Sequence, residues 1–304
     1  MALVPMTKAI FTTKVTPSYD DRPEEYYQFP ATYLNQVRDA VHDHIIYYEP
    51  RRSSTDASSR GGRQAYFATA RVDGIIRDEA RPNHFYALLS GYLDFDRPVP
   101  FARAGDYYEA ALRKADGTTN RGAFGRAVRP ISDLEFDRIL KSGFTAELAQ
   151  RSDEERIPPV DLDEPVREFE RPMVELTISR PFRDQSFKRV VRTAYDNKCA
   201  LTGLRLVNGG GRPEVQAAHI MPVSLKGPDS VRNGLALSGT VHWMFDRGLL
   251  SIADDYRILI AEGHVPEELR RLLNHDGMAI PPREAILHPH PHYLKFHREN
   301  IFKG

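Results

Sequence analysis

The stretch VQAAHIMPVSLKGPDSVRNGLALSGTVHWMFDRGLLSI runs from Val215 to Ile252 and holds four polar residues whose types can do chemistry together. His219 sits in an apolar run that reads as a strand, and Asn233 sits in the loop that follows. His242 and Asp246 are four residues apart on a helical pattern, so their side chains share one face, one turn apart. An imidazole and a carboxylate placed this way can share one divalent ion. A histidine beside such an ion, and not itself a ligand, can act as a general base toward water. The ion then polarises a phosphoryl oxygen and stabilises the leaving oxygen. An asparagine side chain or carbonyl can hold the histidine ring in its working orientation. The chemistry this predicts is metal-assisted hydrolysis of a phosphate ester.

These residues need a particular set of elements to bring them together. VQAAHIMPV reads as a strand ended by Pro222, and LKGPDSVRNG as a loop rich in turn formers. LALS is short and apolar. GTVHWMFDRGLL begins a helix, with Ser238 or Thr240 as the cap and Gly248 at the far end. LSIADDYRILIAEG reads as two strands joined around Asp254–Asp255. Upstream, RDQSFKRVVRTAYDNKCALTG gives a helix through Phe187, Val190, Val191 and Ala194. Met221, Trp243, Met244 and Phe245 read as core, and Cys199 as a small packed residue. NGGGR, Asn208 to Arg212, lacks the Lys-Ser/Thr of a phosphate loop and reads as a turn. HPHPH, His288 to His292, alternates with proline and reads as non-helical, with exposed histidines.

The stretch resembles the HNH nucleases, whose fold is the ββα-metal fold. The matching marks are AHI with a proline two residues later, NGLAL and HxxFDxGLLSI, with YDNKCALTG upstream and PHYLKFHREN near the end. The resemblance spans about residues 185–300. It implies that His219 is the general base, that Asn233 positions it, and that His242 and Asp246 are the helix ligands of one divalent metal. The implied metal is Mg2+ or Mn2+, with Ni2+ or Co2+ as alternatives, and no nucleotide cofactor is implied. His242 and Asp246 lie nine and thirteen positions after Asn233, the distances at which colicin-type relatives place their helix ligands. Many relatives carry Asp or His directly before the base as a further ligand, whereas this chain has Ala218. Glu214 and Gln216, on the same strand, are the remaining candidates for a third ligand.

The rest of the chain bounds this reading. Its 304 residues suggest two domains. A single cysteine, Cys199, rules out a disulfide framework and a multi-cysteine zinc knuckle. The opening MALVPMTKAIFTTKV lacks the apolar length and cleavage signal of a signal peptide, and no apolar run approaches the ~20 residues of a membrane span. A cytoplasmic setting is expected. The formal charge is zero, which by itself argues against a nucleic-acid binder. The distribution is uneven, however. Residues 141–179 carry 5 basic and 10 acidic side chains, and residues 180–304 carry 18 and 13. The basic excess therefore falls on the segment with the histidines, which suits a phosphate-backbone partner.

Residues 1–140 read as a β-rich domain. IIYYEP, QAYFATARVDGII and HFYALLSGYLDF are strand runs, and ATYLNQVRDAVHDH has helical spacing at Tyr33, Leu34, Val37 and Val41. The loop RRSSTDASSRGGR holds Arg51, Arg52, Arg60 and Arg63. It reads either as a solvated connection or as an arginine arm on DNA phosphates. SDLEFDRILKSGFTAELAQ reads as helix, break, helix. The acidic, proline-marked SDEERIPPVDLDEPVREFERP lies in a linker, 141–179.

The pattern YQFPATYL, helix, IIYYEPRR, GRQAYFATARVDGI and YLDFDRPVPF resembles the PUA-like group over about residues 8–105, and within it the EVE-type domains of modification-dependent (type IV, McrA-like) restriction enzymes. This implies a pocket for a flipped, modified cytosine, with Tyr27, Phe29, Tyr33, Tyr47 and Tyr48 as candidates. The expected fold is α+β, with a PUA-like β-barrel domain at 1–140, a linker at 141–179 and an HNH domain with the ββα-metal fold at 180–304. The expected partner is double-stranded DNA carrying 5-methylcytosine or 5-hydroxymethylcytosine. No membrane partner is expected, and cutting of both strands by a single-site domain suggests a homodimer. An HNH nuclease of other specificity and a non-cleaving nucleic-acid reader are the rival readings. The intact set His219, Asn233, His242 and Asp246 weighs against the reader, and Ala218 weighs for it.

Overall fold

Adjacent tyrosines on one strand, Tyr47 and Tyr48, are both buried, and they belong to two different cores. Successive side chains of a strand point to opposite faces, so a strand that is apolar at every position needs cover on both sides. That is the situation of Ile45 to Tyr48 in this computed structural model, Ile45 and Tyr47 lying in one core and Ile46 and Tyr48 in the other. The structure describes residues 7–14, 19, 21–52, 54, 56, 58–145, 175, 177 and 179–304. Contacts divide the chain into two compact units, Met1–Ser186 and Phe187–Gly304. The stretch expected as a linker lies for the most part outside the described residues.

Unit 1 is built on a six-stranded sheet ordered β2-β5-β4-β3-β1-β8. Its strands are β1 (Ala9–Thr12), β2 (Tyr26–Pro30), β3 (His44–Glu49), β4 (Ala65–Arg77), β5 (His84–Pro100) and β8 (Val128–Pro130). A two-stranded ribbon, β6 (Ala102–Arg103) and β7 (Asp106–Tyr107), stands apart from it. β1 runs parallel to β3, and the other ladders of the sheet are antiparallel. β4 and β5 are long, and their register shifts at three places. Such bulges bend a strand and increase its twist. Among the described residues β2 and β8 do not pair with each other, so the expected barrel is an open sheet here.

One face of this sheet carries a core with Phe11, Tyr27, Phe29, Tyr47 and Phe67. The other carries Ile46, Tyr48, Tyr66, Phe95, Phe136 and Phe144. The expected helix at ATYLNQVRDAVHDH is shorter than its pattern: a 3-10 turn, Ala31–Tyr33, leads into α1 (Leu34–Asp39). A short helix, α2 (Arg121–Phe124), precedes β8. The helix read from SDLEFDRILKSG is α3 (Asp133–Gly143), and it opens with a reciprocal cap in which Ser132 and Glu135 satisfy each other's backbone N–H groups. The second helix read from that segment falls mostly outside the described residues.

Helix α4 (Arg180–Ala194) spans the boundary between the units, and its part from Phe187 onward belongs to unit 2. Strands β9 (Gln216–His219) and β10 (Gly234–Leu237) then pair antiparallel, with Gly234 opposite His219. Helix α5 (Gly239–Asp246) follows, then the pair β11 (Leu250–Ile252) and β12 (Ile258–Ile260), then α6 (Glu267–Arg270) and α7 (Pro291–Asn300). The expected order of strand, loop, short strand and helix is present. The core joins Phe187 and Val191 of α4, Leu235 and Leu237 of β10, Val241, Met244 and Phe245 of α5, and Tyr293 and Leu294 of α7. Cys199 is packed within it.

Two expectations need correcting. Trp243 is not core but 59 % exposed, because on α5 the inward positions go to Val241, Met244 and Phe245. HPHPH is partly helical: His290 caps α7 and Pro291 takes its first position, where a missing N–H costs no helical bond. Its histidines are half-buried rather than exposed, and His288 is held between the Pro282 carbonyl and the Tyr256 hydroxyl.

Candidate active site

His219 ends β9 with its ring fixed on two sides. One face stacks on Phe187 of α4, with centroids 3.8 Å apart and planes 9° from parallel. At its edge, Nε2 lies 2.9 Å from Oδ1 of Asp229, whose side chain is almost wholly buried. An ionised carboxylate only accepts hydrogen bonds, so in the neutral ring the proton sits on Nε2. Nδ1 is then left with its lone pair, and no described residue donates to it. His219 lines a pocket of about 400 Å3 together with Ala217, His242 and Asp246. The ring therefore brings an oriented basic nitrogen to a pocket that also holds the two helix residues.

Asn233 is fully buried, and its side-chain hydrogen bonds go to backbone groups rather than to the His219 ring. Its Oδ1 accepts from Met221 N at 2.8 Å, and its Nδ2 donates to the carbonyls of Met221 and Pro228, both at 3.0 Å. It thus staples the β9–β10 loop across its base. Ring orientation, expected of Asn233, is carried by Asp229 and Phe187, while Asn233 shapes the loop that delivers Asp229. Gly227 serves the same staple: a Cβ there would collide with Met221 O and approach Asn233 Nδ2.

Helix α5 presents the other pair. His242 Nε2 lies 3.3 Å from Asp246 Oδ2, the one-turn neighbour expected from the spacing. His242 Nδ1 lies 2.8 Å from Gln216 Oε1 on β9, so in the neutral ring Nδ1–H donates to the amide oxygen and Nε2 keeps its lone pair. Two lone-pair atoms at that separation repel unless a proton or a cation lies between them. A divalent ion fits this donor set, because a ligating imidazole has its other nitrogen held in this way. Among the described residues no group of three His, Cys, Asp or Glu side chains could hold a metal together. His242 and Asp246 are the residues that would hold the ion. Ala218, directly before His219, is buried in the core, while its neighbours Ala217 and His219 line the pocket. Glu214 caps the start of α5 by accepting from Gly239 N at 2.7 Å, which puts its negative charge at the helix N-terminus.

If a divalent ion sits on this pair, His242→Ala and Asp246→Ala should each raise the Mn2+ or Mg2+ concentration needed for half-maximal activity on a phosphate diester, by at least the ~10- to 100-fold that loss of an outer-shell partner of a ligand costs. Metal titrations of the two variants that overlay the parent curve would remove both from the metal.

The far end of α5 is anchored by His297 of α7. Its ring stacks on Phe245 with centroids 3.8 Å apart, and its Nε2 donates to the Phe245 carbonyl at 3.2 Å. Nδ1 then accepts from the Ser251 hydroxyl at 2.9 Å. Burial pushes its pKa down to about 4, so the ring stays neutral near pH 7 and keeps that pair of bonds. Beyond the helix, Gly248 adopts φ +71°, and a side chain there would run into Ile301 O. The turn after Asp246 accordingly requires glycine.

In unit 1, Tyr27, Phe29 and Tyr47 pack together in one core. Tyr48 lies in the core on the opposite face of the sheet, so the five candidate rings do not face one cavity. Tyr27 donates to the Thr12 carbonyl at 3.0 Å. Tyr33 alone of the five is partly open, and its hydroxyl accepts from Ala127 N. Among the loop arginines, Arg51, Arg52 and Arg60 are exposed. Arg63 is committed to the fold, with an ion pair of 2.8 Å to the buried Glu49 and its guanidinium 4.4 Å over the Phe67 ring.

Asp229, Phe187 and His297 contribute to the site beyond the residues given roles from sequence. An aspartate in a GPDS loop carries the signature of a turn former, so nothing in its type marks Asp229 as a partner of a histidine ten residues earlier. Gln216, a candidate third ligand by sequence, has its side-chain oxygen on His242 Nδ1, a partner that becomes visible only once β9 meets α5.

No curated protein matches the chain. Among solved structures it is similar to a "Modification dependent TagI restriction endonuclease", at 17 % identity and a TM-score of 0.30, over 96 % of this chain and 81 % of that one. It is also similar to the "Type IV phosphorothioation-dependent restriction endonuclease ScoMcrA", at 14 % identity and a TM-score of 0.21. That match covers 96 % of this chain, which spans about half (52 %) of that structure's length. The segment that carries the site, residues 199–253, matches the family model described as HNH endonuclease.

Proposed function

We propose that the chain is a modification-dependent DNA endonuclease, with metal-assisted phosphodiester hydrolysis in unit 2. The observation that carries the hydrolytic part is the shared pocket. His219, its proton fixed on Nε2 by Asp229, meets there the His242–Asp246 pair. His219 Nδ1 takes a proton from a water molecule, whose oxygen attacks phosphorus as the ester P–O bond breaks. Phe187 and Asp229 keep the ring from turning away during that transfer. Gln216 holds His242 with Nε2 toward Asp246. When bound to that pair, a divalent ion supplies charge stabilisation at the phosphoryl and leaving oxygens.

The choice of target is assigned to unit 1, with 5-methylcytosine or 5-hydroxymethylcytosine as the base read. The support is the resemblance of residues 8–105 to EVE-type domains. The test is digestion of matched duplexes carrying cytosine, 5-methylcytosine, 5-hydroxymethylcytosine or its glucosylated form, with the full chain and with the metal varied. A methyl or hydroxymethyl group in a base pocket changes the fit by ~1–3 kcal/mol, so a preference of ~10- to 200-fold for one modified DNA is expected. Equal cutting of all four would remove the modified-base reading and leave the nuclease. No cutting of any, with every metal, would remove the nuclease.

A further inference from the structure

A second cavity of unit 2, of about 740 Å3, meets the hydrolytic pocket at Ala217 and His242, which line both. One wall is α4, with Lys188 and Arg192, and another is the turn from Leu206 to Arg212. The floor is β9. Three cations, Lys188, Arg192 and Arg212, look into it against one carboxylate, Glu214. That carboxylate is already engaged at the start of α5. No described acidic residue pairs with any of the three cations. The turn is built to hold its arginine: Asn208 Oδ1 accepts from Gly210 N and Arg212 N, and Val207 bridges Pro213 behind them. Arg192 is steadied by a 3.1 Å bond from its Nε to the Lys188 carbonyl. Its partial burial, with Arg212 and Arg189 nearby, works against its charge. A guanidinium stays charged all the same. Like charges gathered in a partly dry groove repel one another until an anion joins them.

We propose that Lys188, Arg192 and Arg212 form a cradle for the phosphodiester backbone of the strand being cut, directly beside the bond presented to His219. The proposal rests on the nuclease reading. An extended polyanion fits better than a small anion, because the groove runs on from His242 rather than closing around a point. The rim is also apolar, with Leu206 and Val207 53 % and 46 % exposed, which suits the faces of the sugars between phosphates. The cradle belongs wholly to unit 2. It accounts for part of the basic excess of residues 180–304.

The test is binding of a labelled duplex to the full chain in a His219→Ala background, followed by fluorescence anisotropy over a range of salt. Each phosphate contact contributes about 0.9 to the slope of log affinity against log salt. The triple variant Lys188→Gln, Arg192→Gln, Arg212→Gln should lower that slope by ~2–3 and weaken binding by at least ~10-fold near 0.1 M salt. Arg212→Gln alone, on an exposed turn, should lower it by ~1, and it keeps the test open should the triple variant fold poorly. Lys295→Gln, an exposed cation of α7, should leave the slope unchanged. Unchanged slope and affinity in Arg212→Gln and in a folded triple variant would overturn the cradle. Cleavage by the same substitutions in the parent background is scored in parallel. A parent that binds through these cations but cuts no DNA would overturn the nuclease reading instead, and with it the assignment to a cut strand.

Discussion

His219→Ala should lower the rate of DNA cleavage by about 10²–10⁴ while DNA affinity and the metal requirement stay near those of the parent. The expectation comes from what the ring touches. Its Nε2 is committed to Asp229, its face to Phe187, and its Nδ1 to no described protein group. Alanine removes the basic nitrogen and leaves His242, Asp246 and Gln216 in place. The ring is partly buried rather than part of the sealed core, so the fold should survive. Rates are to be measured at saturating metal, with binding followed separately by anisotropy. Cleavage within a few-fold of the parent would sink the assignment. Loss of binding together with cleavage would move His219 from the reaction to the substrate contact.

The sequence carried the site's outline because the outline is local. A four-residue spacing on a helix places His242 and Asp246 one turn apart whatever the rest of the chain does, and they lie 3.3 Å apart. The strand holding His219, the loop and the helix are announced by Pro222, by the Gly, Pro and Asp of the loop, and by Gly248. What was illegible depends on contacts between distant segments. Phe187 reads as one apolar position of an amphipathic helix, and only packing lays its ring on His219. Asn233 was expected at the histidine, but an amide with three good backbone partners in its own loop satisfies all its bonds there. Trp243 shows the converse: an aromatic in an apolar helix is expected inside, yet the helix turn directs it outward.

Unit 1 shows the same divide. Its three longest strands were legible as runs of β-branched and aromatic residues. Which rings would face a ligand was not. Tyr47 and Tyr48 are neighbours in sequence, and strand alternation sends them to opposite cores. Arg63 looked equivalent to Arg51, Arg52 and Arg60 in a solvated loop. Its partner Glu49, at the end of β3, draws it back onto the sheet. Charge and residue type identify a loop arginine, whereas only the register of the neighbouring strand decides whether it is free for a phosphate.

Asp229→Asn should slow cleavage by about 10²–10⁴ without weakening DNA binding, although Asp229 touches neither water nor phosphate in the proposed reaction. The carboxylate accepts the Nε2 proton of His219 and so leaves Nδ1 free to receive another. An asparagine can instead turn its NH2 toward Nε2. The ring then takes the other tautomer, with its proton on Nδ1 and nothing left there to accept one. The side chains are nearly equal in size, and Asp229 sits in a loop already fixed by Asn233, so the melting temperature is expected to move little. A merely structural role is separated from a positioning role by the double variant. If Asp229 acts through His219, Asp229→Asn should cost nothing further in the His219→Ala background, because the ring it positions is gone. If the two losses multiply in the double variant, Asp229 contributes by another route. If Asp229→Asn alone cuts as fast as the parent, the ring is held well enough by Phe187, and the hydrogen bond to the carboxylate is not what sets the tautomer.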